Sequence, residues 1–424
     1  MQLLSDPIRR RWVAWGSLVG VFLLVNVHRL STAVLSERLI SAFGVTAAQL
    51  GTLHASFFVI YAAVQIPTGM LADRYGARFV GTAGAVTLSG GAIGFALSGG
   101  YRSAFLFRAV IGFGSGVVFI STIRFCANWF RADEFGTMTG LTAGTAGLGA
   151  IVATTPLAYL IRWFGWRSTI LAFAGFGLVA AGCVWLFVRR SPAAAGLDPI
   201  DNVPERPAVT FGETVSHVRT LLADPDQWLL SAVFFCSMGT ILTVIGLWGV
   251  PYLVVVHGLP VTTASYYTLV GAVGMLIGGP TVGWISDRIG RRLAPMIAGL
   301  GLFAAALGVI PIFGAPPLPV IAVVYFVIGF SLGVTMLSLP VIKEQYPAGA
   351  SGVATATVNG AGFFGGAALP PLMGAVLDRY RTEDVVAGAV AYTDFGYRVA
   401  FSVTTVAVVV AICCAVWFAR RRRP

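Results

Sequence analysis

The chain has 424 residues, 57% of them hydrophobic and only 11% charged, with a formal net charge of +11. Soluble domains are about a quarter charged, so a disordered chain, a secreted disulfide scaffold and almost any soluble enzyme are excluded. Lys343 is the one lysine among the basic residues; in so apolar a chain the arginine excess reads as membrane topology before nucleic-acid binding. Cys126, Cys183, Cys236, Cys413 and Cys414 sit in apolar segments without a C-x-x-C spacing, which marks them as packing residues.

Apolar runs of spanning length are predicted at 12–36, 48–70, 79–99, 103–127, 136–161, 168–188, 228–252, 263–285, 294–313, 318–342, 351–376 and 398–419. Each is long enough to cross a bilayer as a helix. Arg9, Arg10 and Arg11 precede the first run, which lacks a small-residue cleavage signal and reads as an uncleaved span. Twelve spans put both termini on one side. The segments on that side hold 18 arginines and lysines against 7 on the other, so both termini are expected in the cytoplasm, with the chain in the inner or plasma membrane. Residues 189–227 interrupt the pattern with Pro192, Pro199, Pro204 and Pro207. Within them Thr210 and Glu213 form a capping box ahead of Val215, Val218, Leu221 and Leu222, predicting an amphipathic helix on the membrane surface. The domains expected are a six-helix bundle over 1–188, a linker over 189–227 and a second bundle over 228–424.

The two sets of six spans repeat. Gly69-Met-Leu-Ala-Asp73-Arg74-Tyr-Gly76-Ala-Arg78 returns 214 positions later as Gly283-Trp-Ile-Ser-Asp287-Arg288-Ile-Gly290-Arg291-Arg292. Val110-Ile-Gly-Phe in the fourth span returns at Val327, and Phe164-Gly-Trp-Arg167 before the sixth has a counterpart in Phe395-Gly-Tyr-Arg398 before the twelfth. Duplicated six-helix halves point to a transporter with its solute site at mid-membrane between them.

The G-x-L-A-D-R-x-G-x-R segment and the R-x-x-x-G-x-G-x-G of the fourth span, Arg108 with Gly112, Gly114 and Gly116, resemble the signatures of the major facilitator superfamily. That resemblance implies an all-α membrane protein, twelve helices in two pseudo-symmetric bundles, and alternating access. Val27-His28-Arg29, Tyr61-x-x-x-Gln65-Ile-Pro67 and Asn128-Trp129-Phe130 look like the organic-anion (anion:cation symporter) branch. That branch usually carries an acid before the first-span arginine and seven residues after the fourth-span one; here those positions are His28 and Ser115.

The acidic residues all fall in loops or at span ends, whereas Arg29, Arg108 and Arg124 fall inside spans. A guanidinium in a membrane without a carboxylate needs an anion, and its fork suits a carboxylate. Arg29 and Arg108 are therefore expected to bind the solute, completed by Tyr61, Gln65, Tyr325 and Asn359. Tyr325 occupies the repeat position of Arg108, so one half offers a charge where the other offers a hydroxyl. Arg108 has helix packing as its competing role. His28 and Glu37 are the candidate carriers of a coupling proton. Asp73 and Asp287 end the second and eighth spans. The resemblance implies that each caps a helix of the other half when the protein faces outward, with Arg74, Arg78, Arg124, Arg288, Arg291 and Arg292 completing a cytoplasmic gate.

No nucleotide-binding loop, metal cluster or Ser-His-Asp constellation is readable, so neither cofactor nor metal is expected and the chain does not read as an enzyme. The expected partners are a small anionic solute, protons and the bilayer, with no nucleic acid; a monomer is expected. The sequence reads as a secondary transporter of a small organic anion, driven by proton symport. The alternatives are a drug exporter, a nitrate-like inorganic anion transporter and a non-transporting sensor. The fifth span reads Gly147-Leu-Gly149-Ala-Ile-Val in place of the family's exporter motif.

Overall fold

The structure, a computed structural model, describes residues 6–198, 200, 203, 221, 223–386 and 389–422, apart from a few side chains that include Asp73. Among the described residues, twelve helices are long and apolar enough to span a membrane: Pro7–Leu30, Ala47–Gln65, Arg74–Ala96, Tyr101–Trp129, Asp133–Val152 and Trp166–Phe187, then Pro225–His257, Val261–Ile289, Leu293–Phe313, Leu318–Lys343, Ser351–Asp378 and Asp394–Arg421. They are the first to twelfth spans below, and each corresponds to a predicted run. The expected surface helix around Thr210 and Glu213 lies outside the described residues.

Several features depart from the plain apolar runs, among them the fifth, expected over 136–161, which ends at Val152 ahead of a separate helix Thr155–Phe164. The first span stops at Leu30, and a second helix, Thr32–Phe43, carries the chain onward past Ser31. The seventh span contains a wider π-helical stretch, Val244–Trp248. Residues Arg381–Val386 and Ala389–Tyr392 pair as an antiparallel hairpin between the eleventh and twelfth spans. Their valines and Tyr392 favour extended backbone.

The duplicated motifs have a structural cause. Gly76 turns the second span into the third at φ +81°, and Gly290 ends the eighth at φ +66°; residues with a Cβ are strained there. In the fourth span a Cβ at Gly112 would strike the Phe57 backbone of the second, and in the tenth a Cβ at Gly329 would strike Gly271 of the eighth. Small residues thus bring backbones together where lipid gives no hydrophobic drive.

The bundle's near end is where the first span begins and the twelfth ends; the opposite end is the far end. Along the second and eleventh spans the halves meet in a ladder. At the far rim, both carboxylate oxygens of Asp378 accept from the Ala47 and Ala48 amides at 2.9 Å. Gly51 then faces Pro370 and Pro371, and Gly374 faces Ala47, too closely for any Cβ. Phe58 stacks on Phe363 further in, and Asn359 donates to Gln65 at 3.3 Å. The short helix after the fifth span, Thr155–Phe164, meets the eighth span in a similar way, with the Tyr159 and Tyr266 hydroxyls 2.9 Å apart and Ser265 near Thr155. At the near end each half is tied to itself. Arg11 bonds Glu134, Arg78 stacks on Trp185, and Arg422 bonds Asp226. The far end is drawn together around a junction that ends at mid-membrane.

Candidate functional site

Arg29 lies at the inner end of that ladder. It is 8% exposed. One guanidinium nitrogen, Nη1, donates to Asn26 Oδ1 at 3.0 Å, one turn back on the same helix. The other two, Nε and Nη2, have no hydrogen-bond partner. The charge sits 4.8 Å from the Tyr61 ring and 5.1 Å from the Phe363 ring, one aromatic from each half. Those two rings are themselves 4.5 Å apart. Cation–π contact favours the charge but leaves its N–H fork unanswered. An unmade hydrogen bond on a buried polar group costs about 1–3 kcal/mol, and more on a charged one, so the fork has room and reason to take a further acceptor. Gln65 and Asn359, half-buried and joined across the halves, stand beside it on the near side with further amide donors.

Of the six residues expected around the solute, Arg29, Tyr61, Gln65 and Asn359 therefore come together. Arg108 and Tyr325 do not join them. Arg108 is 1% exposed, and its Nη2 donates to the His28 carbonyl and the Thr32 hydroxyl, both at 2.7 Å. It thus braces the break in the first span from behind. Tyr325 is fully buried and donates to the Gly249 carbonyl at 2.7 Å, bracing the seventh span just past its π-helical stretch. Both side chains are enclosed because an interrupted or π-helical stretch frees carbonyls that must be satisfied inside the protein.

The proton candidates also separate. His28 is 1% exposed and faces Phe173 of the sixth span, away from the junction. Glu37 lies past the end of the first span, on the helix Thr32–Phe43. It lines a far-end cleft of about 920 Å³ with Arg38, Tyr159, Arg162 and Thr262. Partial burial pushes its carboxyl up to about 7, against the pull of Arg38.

Of the gate residues, Asp287 bonds Arg292, which also bonds Glu344, all within one half. Arg288 lies over Trp284 and Arg74 over Tyr75. Arg291 offers its carbonyl to Ser286, and Arg124 is half-buried in the fourth span. The side chain of Asp73 lies outside the described residues. Sequence reasoning missed Phe363 and Asp378. Phe363 follows Asn359 by one helical turn, the spacing that shares a face. Asp378-Arg379-Tyr380 repeats Asp73-Arg74-Tyr75 at the opposite end of the bundle.

The sequence profile of the Major Facilitator Superfamily matches residues 9–381. The chain belongs to this superfamily. A protein of Oryza sativa named "Probable anion transporter 4, chloroplastic" is 27% identical over 294 residues, 67% of this chain. The match spans about half, 49%, of the rice protein. The D-galactonate transporter of Escherichia coli is 23% identical over 402 residues, 89% of this chain and 91% of its own. These names are in keeping with the organic-anion branch. Among solved structures, a bacterial homologue of the human lysosomal transporter Spinster, inward-facing and unoccupied, superposes with a TM-score of 0.77 at 18% identity and 97% coverage of each chain. The fold is thus that of the superfamily, and the protein is a multi-pass membrane transporter, not an enzyme.

Proposed function

We propose that the protein moves a small organic carboxylate across the cell membrane by alternating access, in symport with protons, with its near end in the cytoplasm. The observation that carries this reading is the Arg29 guanidinium, buried between an aromatic ring of each half with two nitrogens unanswered. A carboxylate is planar and accepts two parallel N–H bonds, which is what the vacant fork offers. The amides of Gln65 and Asn359 would hold hydroxyls or a second acceptor of the same solute. The names of the relatives, an anion and a galactonate transporter, support a sugar acid as the first probe.

In this reading the described state is inward-open. The far end is latched by Asp378 on the second span, and Asp287 is held within its own half. The orientation follows from the arginine bias.

Counterflow of labelled D-galactonate in proteoliposomes tests the proposal. Wild-type protein should exchange it. Arg29→Ala should lose it through binding weakened ~10- to 100-fold, the scale of a hydrogen bond to a charge, with its melting temperature kept. Exchange unchanged in a folded Arg29→Ala variant would sink the site. Exchange only of nitrate or of lipophilic cations would replace the solute class.

A further inference from the structure

The second span carries a buried histidine to which the anion site gives no role. His54 is fully buried, with its ring 4.9 Å from that of Phe58. It sits on the junction between halves, not inside one of them. A Cβ added to Gly246 of the seventh span would lie 3.4 Å from two atoms of its ring. The Leu242 carbonyl of the same span is beside it, yet neither ring nitrogen closes a hydrogen bond of normal geometry.

The groups that face it are few. Arg108 of the fourth span is the charged neighbour, and it faces His28 of the first span as well. The seventh span has no ionisable residue between Cys236 and Tyr252, and the eleventh has none between Ser351 and Leu377. A proton on His54 would therefore add a further positive charge to a dry region that already holds two arginines. That is unfavourable while the anion site is empty and the far end shut. Both obstacles are removed together on the far side. Opening the far end parts the second span from the seventh and wets the ring. An anion on Arg29 offsets the field.

We infer that His54 is where the coupling proton is held: it loads with the anion when the far end is open and leaves with it at the near end. A ring nitrogen lone pair takes H⁺ from far-side water and returns it to near-side water, so no other bond changes. His28, the other buried imidazole, packs within its own half against Phe173, where rocking of the halves does not change its surroundings. The inference rests on the anion-symport reading above.

The test uses the full chain in proteoliposomes with labelled D-galactonate. Through one-to-one coupling, a gradient of one pH unit supports about tenfold accumulation. His54→Gln should accumulate nothing above equilibrium yet keep counterflow, which needs no net proton movement; His28→Gln should keep both. His54→Asn serves if melting shows that the glutamine variant does not fold. Acid-driven accumulation by a folded His54 variant overturns the inference. So does loss of counterflow in a folded variant, because the ring then belongs to packing or to the anion site. Absent counterflow in the wild type overturns the underlying anion reading first, and is seen before any variant is made.

Discussion

The first and seventh spans are both irregular, at Ser31 and at Val244–Trp248, and each irregular stretch is braced from the equivalent position of another helix. In the amino-terminal half Arg108 does this with a charge, bonding the His28 carbonyl and the Thr32 hydroxyl. In the carboxyl-terminal half Tyr325, 217 positions on, does it with a hydroxyl on the Gly249 carbonyl. A brace does not require a charge. Around the braced stretches the amino-terminal half buries Arg29, Arg108, His28 and His54, where the carboxyl-terminal half buries Thr240, Thr243, Tyr252 and Tyr325. One half sets the electrostatic potential of the centre; the other supplies the surface that closes on it.

Breaking the two braces separately should show this inequality. Arg108→Ala removes a charged donor from two acceptors and should cost about 1.5–3 kcal/mol of stability. Tyr325→Phe removes one neutral bond within a membrane and should cost about 1 kcal/mol. Melting temperatures of the purified variants rank the two, and equal losses would mean that the charge contributes nothing as a brace. A smaller effect is expected at the latch. Asp378→Asn takes a full negative charge from the amino end of the second span, a contact worth about 0.3–1 kcal/mol. It should shift the distance between spin labels across the far rim toward wider values. An unchanged distribution would leave the closing surface of Gly51, Pro370 and Gly374 as the whole latch. The smallest effect concerns Glu37. Burial in the closed cleft raises its carboxyl from an ordinary 4.5 to about 7, so the closed far end favours the protonated form. Its contribution to closure is full below about 4.5 and is lost as pH rises through about 7. The far-rim distance should lengthen slightly from pH 5 to pH 8 in the wild type and stay flat in Glu37→Gln.

The spans and their duplication were legible because hydropathy and glycine spacing are local and one-dimensional. Arg29 was legible for a related reason: a lone charge deep in an apolar run stands out. The packing role of Arg108 was legible as the alternative to solute binding, but the carbonyl it satisfies was not, since that carbonyl is free only because the first span breaks at Ser31, where no proline announces the break. The π-helical stretch at Val244–Trp248 is equally silent in sequence. The role of Asp378 was not legible, since Asp378-Arg379-Tyr380 matches Asp73-Arg74-Tyr75 while the helix amides it bonds, at Ala47 and Ala48, are more than 300 positions away in the chain. The hairpin strands Arg381–Val386 and Ala389–Tyr392 leave only a weak local signal, a few β-branched residues on either side of Ala387-Gly388.

The ladder between the second and eleventh spans has a mechanical consequence. From Ala47 to Gln65 is 18 residues, about 27 Å of helix, and its mid-membrane end is the Gln65–Asn359 pair. If the halves pivot there, the pair is a fulcrum and the ladder a lever arm. A rotation of about 10° about a 27 Å arm carries the far rim roughly 5 Å, enough to pull Asp378 clear of the Ala47 and Ala48 amides. The solute would then bind at the hinge, where displacement is smallest, while the rim beyond it makes the large stroke.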